Sequence, residues 1–170
     1  GSATPSTANN AFAWAAPVKT GAPFCLDMAC AVSSWGKVHA LGMYGRQIPA
    51  GWALDANGHP TIDPNLSKTL LPASGPRGYG LAFLSSILAG TLQGGKMPLH
   101  KTRSPEAEGS EHFFYVIDVD AFGEADKYYA EMERTIAEIR ALPTQPGFDR
   151  VTLPGEIEWD RAQARRASGI

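Results

Sequence analysis

The chain has 170 residues, of which 44% are apolar, with 15 Lys and Arg against 17 Asp and Glu for a formal net charge of −2. That length suffices for one substantial core, and that apolar share excludes a disordered chain. Interleaved charges of both signs argue against a nucleic-acid or anionic-membrane partner, and no apolar run nears the ~20 residues of a membrane-spanning helix.

Gly1 to Asn10 is rich in Ser, Thr, Ala and Asn and predicts an irregular start. Its small polar residues lack the charged-then-apolar pattern of a secretion signal. The expected location is therefore cytoplasmic. Ala11 to Pro17 predicts a strand closed by proline, and Phe24 to Met28 a second, short apolar strand that contains Asp27. A helix is predicted from Ser33, with Trp35, Val38 and Leu41 on one face and Gly42 or Gly45 near its end. Trp52 to Pro64 contains the tight-turn pair Asn57-Gly58 and predicts an ordered surface excursion.

Ser74 to Gly80 opens a helix through Leu81, Leu84, Ile87, Leu88 and Leu92 that Gly94-Gly95 stops. This helix is apolar nearly all round, which predicts burial. Lys96 to Glu111 is polar and predicts a loop that serves as a lid or subunit contact. His112 to Asp118, with Phe113-Phe114-Tyr115-Val116-Ile117, predicts a strand. From Asp126 a helix buries Tyr129, Met132, Ile136 and Ile139, with Lys127 and Glu131 as an i,i+4 pair. Val151 to Leu153 reads as short and extended, and Trp159 begins a charged terminal helix. Alternating strands and helices predict an α/β fold.

The best candidate for chemistry is Ser74-Gly75-Pro76-Arg77-Gly78-Tyr79-Gly80. Glycines admit a ligand close to the backbone, a helix start offers free N–H groups to an anion, and Arg77 adds a planar charged fork. A plain glycine turn into a buried helix explains the same residues equally well. Asp27, at a strand end, suits hydrogen bonding to a substrate or ribose, although a structural cap is the commoner use of such an acid. His112 is a lone histidine that either holds structure or binds a carboxylate. Gly155-Glu156 reads as a turn with an adjacent acid. Cys25 and Cys30 lack C-x-x-C spacing and the four histidines are scattered, so two free thiols and no metal are expected. No G-x-G-x-x-G follows the first strand, which argues against an ordinary Rossmann site.

Taken together, Ala22 to Ala29, Ile48 to Asp55, Pro72 to Gly80 and Leu153 to Glu156 resemble the second type of malate/L-lactate dehydrogenase family. This family is unrelated to the Rossmann malate and lactate enzymes. It includes ureidoglycolate dehydrogenase, diketogulonate reductase, sulfolactate dehydrogenase and piperideine-2-carboxylate reductase. The resemblance runs from about Asn10 to Ile170 and covers the second half of a family member. The family's Ser-His and Asn-His motifs and its proton-donating histidine belong to the first half.

The resemblance implies a three-layer α/β/α fold with a mixed sheet, binding nicotinamide without the Rossmann fingerprint and incomplete without the amino-terminal half. It implies a cofactor-binding part over 1–153 and a terminal segment, 154–170, that packs on the missing portion. Implied cofactor contacts are Pro23, Phe24, Cys25, Leu26, Asp27, Met28, Ala29, Pro76, Arg77, Gly155, Glu156 and Ile157, with His112 toward substrate. Members usually carry Lys where this chain has Arg77, and the asparagine of a family Thr-Asn-Pro turn matches Asn10 between Asn9 and Ala11. The implied activity is hydride transfer between NAD or NADP and a small 2-hydroxy or 2-oxo acid such as malate or lactate, or a cyclic imino acid. The implied partners are the missing half and a second copy, and the chain alone is expected to be inactive. The competing reading is a non-catalytic nucleotide-binding or assembly module left from such an enzyme.

Overall fold

Two strands open the fold, β1 (Phe12–Ala16) and β2 (Phe24–Met28), and they pair with each other. Both lie where the apolar runs predict them. The computed structural model describes residues 2–102 and 109–169. Its chain separates into two units, residues 1–12 with 28–114 and residues 13–27 with 115–170.

In the first unit, Ser34 is extended and its hydroxyl accepts from the Lys37 N–H, satisfying a donor that a helix start leaves unpaired. It begins α1 (Trp35–Met43), which turns Val38 fully inward. Val38 packs with Ile48 and Ala53, and Leu41, Trp52 and Leu70 close around them. Ala53 belongs to β3 (Ala53–Leu54), the centre of an antiparallel sheet between β4 (Pro60–Thr61) and β5 (Thr69–Leu70). Ala53 faces Thr61 on one side and Leu70 on the other.

The expected surface excursion at Trp52 to Pro64 holds for Ala56, Asn57, His59, Pro60 and Ile62, which are exposed. It is corrected at Ala53 and Leu54, which are buried because the strand they form has partners on both sides. At the tip the Asp55 carboxylate accepts from the Asn57 and His59 N–H groups at 2.8 and 2.9 Å. Those donors, His59 foremost, hold the carboxyl below its usual pKa.

α2 (Pro76–Ala89) ends at Gly90, earlier than Gly94-Gly95, and a 3₁₀ turn at Thr91–Gln93 follows. Its burial also differs from the expectation. Gly78, Ala82 and Ser86 form the only buried stripe, while Tyr79, Leu81, Phe83, Leu84 and Ile87 stay 38–50% exposed. Apolar character all round shows that a helix needs cover, but the cover on the large side chains is not supplied by the described residues. The expected lid region holds a 3₁₀ turn at Pro98–His100, and its residues 103–108 lie outside the described residues.

The strand predicted over His112 to Asp118 does not form. A strand is completed by pairing, and among the described residues no hydrogen bond reaches the backbone of residues 113–117. Val151 to Leu153 likewise pairs in no sheet.

In the second unit, α3 (Ala125–Arg140) buries Ile136 and half-buries Tyr129, Met132 and Ile139, as its periodicity predicts. The expected Lys127–Glu131 pair is replaced by Lys127 on Glu124 at 2.7 Å and Arg134 on Glu131 at 2.6 Å. Helical side chains lean toward the amino end, so each cation reaches back three residues. α4 (Glu156–Ser168) starts three residues before Trp159. Among the described residues no helix is long and apolar enough to cross a membrane.

The core of the first unit is small, so each member counts. Ile48 is 2% exposed within it. Ile48→Ala is expected to cost about 2–5 kcal/mol through lost burial and the cavity it leaves. Chemical denaturation followed by circular dichroism measures this, and a cost near zero would show that the cluster does not hold the unit.

Candidate functional site

The start of α2 is set by backbone lying against backbone. The Ala73 N–H donates to the Cys30 carbonyl at 2.9 Å, and the Gly78 N–H donates to the Ala73 carbonyl at 2.9 Å. A Cβ at Gly78 would collide with Ala73 and stand 2.9 Å from the Cys30 carbonyl oxygen. Only glycine fits there. The Asn9 carbonyl accepts from the Cys30 N–H at 3.0 Å, and the Asn10 carbonyl accepts from the Cys30 thiol at 3.1 Å. Burial pushes the Cys30 thiol pKa up. Asn10 itself has a φ of +42°. Its amide donates to the Ala82 carbonyl at 2.6 Å and to the Ser86 hydroxyl. Asn10 thereby fastens the amino-terminal segment to the buried stripe of α2.

Pro76 and Arg77 sit at the tip of this assembly, both exposed, after Gly75 at a φ of +61°. Most donors of the first turn are already used. Gly75 donates to Pro72, Gly78 to Ala73 and Tyr79 to Gly75. Pro76 has no N–H, and the Arg77 N–H has no partner among the described residues. Space beside Gly75 is open. One free amide, one guanidinium and the positive end of a 14-residue helix fit a phosphate or carboxylate. Met28 and Ala29 lead into Cys30 in this unit, both half-buried. His112 is exposed, its ring stacked 6.3 Å from that of Phe114, and its carbonyl accepts from Gln93 at 3.0 Å.

The second unit joins two of the predicted segments. The Cys25 N–H donates to the Pro154 carbonyl at 3.1 Å, and a Cβ at Gly155 would lie 2.7 Å from the Cys25 carbonyl oxygen. β2 and the start of α4 are therefore in close contact. Glu156 is buried and both its oxygens are engaged. One accepts from Arg140 at 2.7 Å and the other from the Leu153 N–H at 2.8 Å. Pro23, Phe24 and Glu156 line a crevice of about 10 Å³, which holds about one water molecule. Asp27 and Ile157 are exposed, and Leu26 is half-buried.

A larger cavity, about 640 Å³, opens in the first unit at the far end of α2. Asn10, Ser86, Lys101 and Glu111 are among its walls, and the Lys101 ammonium pairs with the Glu111 carboxylate there. None of the sequence-predicted site residues lines it. Its size suits a small ligand, but its walls come from three separated stretches, the amino-terminal segment, the end of α2 and the polar loop after it, so no single motif pointed to it. Among the described residues no group of three or more His, Cys, Asp and Glu is placed to hold a metal ion.

Two outcomes follow from these contacts. Gly78→Ala should destabilise by about 1–3 kcal/mol through overpacking. Gly80→Ala, where a Cβ meets open space, should stabilise by about 0.5–1 kcal/mol. Thermal melts of the two variants should thus move in opposite directions, and a Gly78→Ala melt at or above wild type would contradict the close packing. Glu156→Ala, which leaves the Leu153 N–H and Arg140 without their acceptor, should cost about 1–3 kcal/mol. Unchanged stability in urea would instead mark Glu156 as free for a ligand.

The family model for malate/L-lactate dehydrogenase matches residues 1–170. Ureidoglycolate dehydrogenase (NAD(+)) of Escherichia coli K12 is 34% identical over 169 residues, covering 95% of this chain and 47% of that protein. Malate dehydrogenase of Pyrococcus abyssi is 33% identical over 172 residues, covering 95% and 47%. Among solved structures, sulfolactate dehydrogenase from Methanocaldococcus jannaschii superimposes with a TM-score of 0.78 at 28% identity, covering 92% of this chain and 46% of that one. Malate dehydrogenase from Pyrococcus horikoshii OT3 gives 0.72 at 30% identity, covering 91% and 44%. These likenesses bear out the α/β fold class. The chain spans about half the length of the curated relatives it matches, and it belongs to the malate/L-lactate dehydrogenase family.

Proposed function

We propose that this chain is the cofactor-holding part of an NAD- or NADP-dependent oxidoreductase. Its substrate is a small 2-hydroxy or 2-oxo acid such as malate or lactate, or a cyclic imino acid. The observation that carries the reading is the match along the whole chain to dehydrogenases and a reductase of one chemical kind. Ureidoglycolate, malate, sulfolactate and pyrroline-2-carboxylate all put the reacting carbon next to a carboxylate.

When bound, the nicotinamide supplies or accepts the hydride. The residues of this chain hold and orient. Arg77, with its own N–H, grips a phosphate of the dinucleotide beside Pro76. The run Pro23 to Ala29 lines the cofactor, with Asp27 accepting from a hydroxyl. Gly155, Glu156 and Ile157 also contact the cofactor, where Glu156 reaches a ribose through a lone pair its two protein partners leave over. His112 donates an imidazole N–H to the substrate carboxylate. The group that moves the proton comes from the remaining half of the family's length. The complete protein works in the cytoplasm as a homodimer, with residues 154–170 packing on that remaining half.

Calorimetry with NADH and with NADPH tests the reading. Arg77→Ala should weaken cofactor binding about tenfold or more, the loss expected of a charge-assisted hydrogen bond to phosphate, while Arg77→Lys should retain most of it. Equal affinity in Arg77→Ala would refute the phosphate assignment, and no heat with either cofactor would favour a non-catalytic module. Turnover of malate, lactate or ureidoglycolate by the isolated chain, followed by reduced-cofactor absorbance, would refute the need for another half.

A further inference from the structure

Residues 113–117 are the strongest strand-forming segment of the chain and belong to no sheet. Phe113, Phe114, Tyr115, Val116 and Ile117 are 41%, 86%, 68%, 89% and 42% exposed. Their backbone N–H and C=O groups have no hydrogen-bond partner among the described residues. An exposed, unpaired run of aromatic and β-branched residues is a template for another strand. Glu111 and His112 on one side and Asp118 on the other are the polar flanks that keep such a run from aggregating.

The segment also carries the chain from the first unit into the second. Linkers that only connect are polar or rich in Gly and Ser, and this one contains neither. Once paired, a strand sends alternate side chains to opposite faces. Phe113, Tyr115 and Ile117 then share one face, and Phe114 and Val116 share the other. Both faces are apolar, the pattern of a strand buried between two layers rather than one lying at a surface. The occupant must therefore bring a strand and also cover for both faces. Relatives are about twice as long as this chain, and the chain spans 47% of ureidoglycolate dehydrogenase.

We infer that residues 113–117 are the docking edge for a β-strand contributed by the half of the family's length that this chain does not span. Pairing places the segment inside a sheet and buries both of its apolar faces. This rests on the proposal that another half completes the protein.

Hydrogen exchange read by mass spectrometry over residues 112–118 tests it. The probe is the portion of Escherichia coli ureidoglycolate dehydrogenase that precedes its matched region, mixed with the full 170-residue chain. The chain alone should exchange these amides at the rate of open coil, and the mixture should slow them about hundredfold, as pairing into a sheet does. Val116→Pro removes a donor and should weaken association about tenfold or more, while the far-UV spectrum of the chain alone stays unchanged.

Association with no added protection at 112–118, or with Val116→Pro binding as well as wild type, would overturn the docking edge and leave the two-part reading standing. No association would overturn both. Protection in the chain alone that rises with its concentration would assign the edge to a second copy instead. Unfolding of the chain by Val116→Pro would show that the segment is already paired, and would also overturn the inference.

Discussion

Backbone pressed against backbone, with no side chain between, is the contact on which the first unit's site depends. Gly78 lies against Ala73 and the Cys30 carbonyl, and the bonds from Ala73 to Cys30 and from Gly78 to Ala73 close the approach. Asn10 adds a second tie four and eight residues further along α2, at Ala82 and Ser86. The ties have a chemical cost. Donors at the start of a helix can bind an anion only if nothing else takes them, and here Gly75, Gly78 and Tyr79 have spent theirs on the frame. What is left is the Arg77 N–H and its guanidinium. Recognition at this tip is thus weighted toward a side-chain charge, which makes the identity of residue 77 matter more than the glycines around it.

Asn10 shows why the frame was hard to read in the sequence. The sequence places it in a turn with altered neighbours, and nothing local connects it to Ser86, 76 residues away. Features governed by neighbours in sequence were legible. The helix expected from Ser33 formed as α1 from Trp35, Phe24 to Met28 formed β2, Asn57-Gly58 turned the chain, and Ile136 led the buried stripe of α3. Features that need a distant partner were not. Phe113 to Ile117 has the composition of a strand without a neighbour to pair with. One local feature was missed as well: Glu131 has Lys127 at good spacing, yet Arg134, three residues on, takes it because helical side chains lean toward the amino end.

The same distinction explains α2. A helix in a self-sufficient domain buries its large apolar side chains and exposes its polar ones. Here the order is reversed. Gly78, Ala82 and Ser86 face inward, while Tyr79, Leu81, Phe83, Leu84 and Ile87 are left half-open to solvent. Small residues on the inner face serve the close approach to Ala73 and Cys30. The large ones are of use only against a surface that the described residues do not provide, since each buried apolar Å² is worth about 25 cal/mol and exposed ones contribute nothing. A chain that matches about half the length of its relatives is the natural owner of such a helix.

The second unit supports a different conclusion about what a site residue does. Gly155 is a cofactor candidate by resemblance, but a Cβ there would strike Cys25 of β2. Its lack of a side chain is explained by that contact without any ligand. Glu156 spends one oxygen on Arg140 at the end of α3 and the other on the Leu153 N–H just before α4. Together they hold α3, α4 and β2 in register. Pro23 to Asp27 belong to β2 or its approach, so their placement depends on this junction whichever of them touches a cofactor. The physical weight of Gly155 and Glu156 therefore lies first in positioning β2. Among the cofactor candidates of this unit, exposed Asp27, near the end of that strand, has a carboxylate with no partner among the described residues.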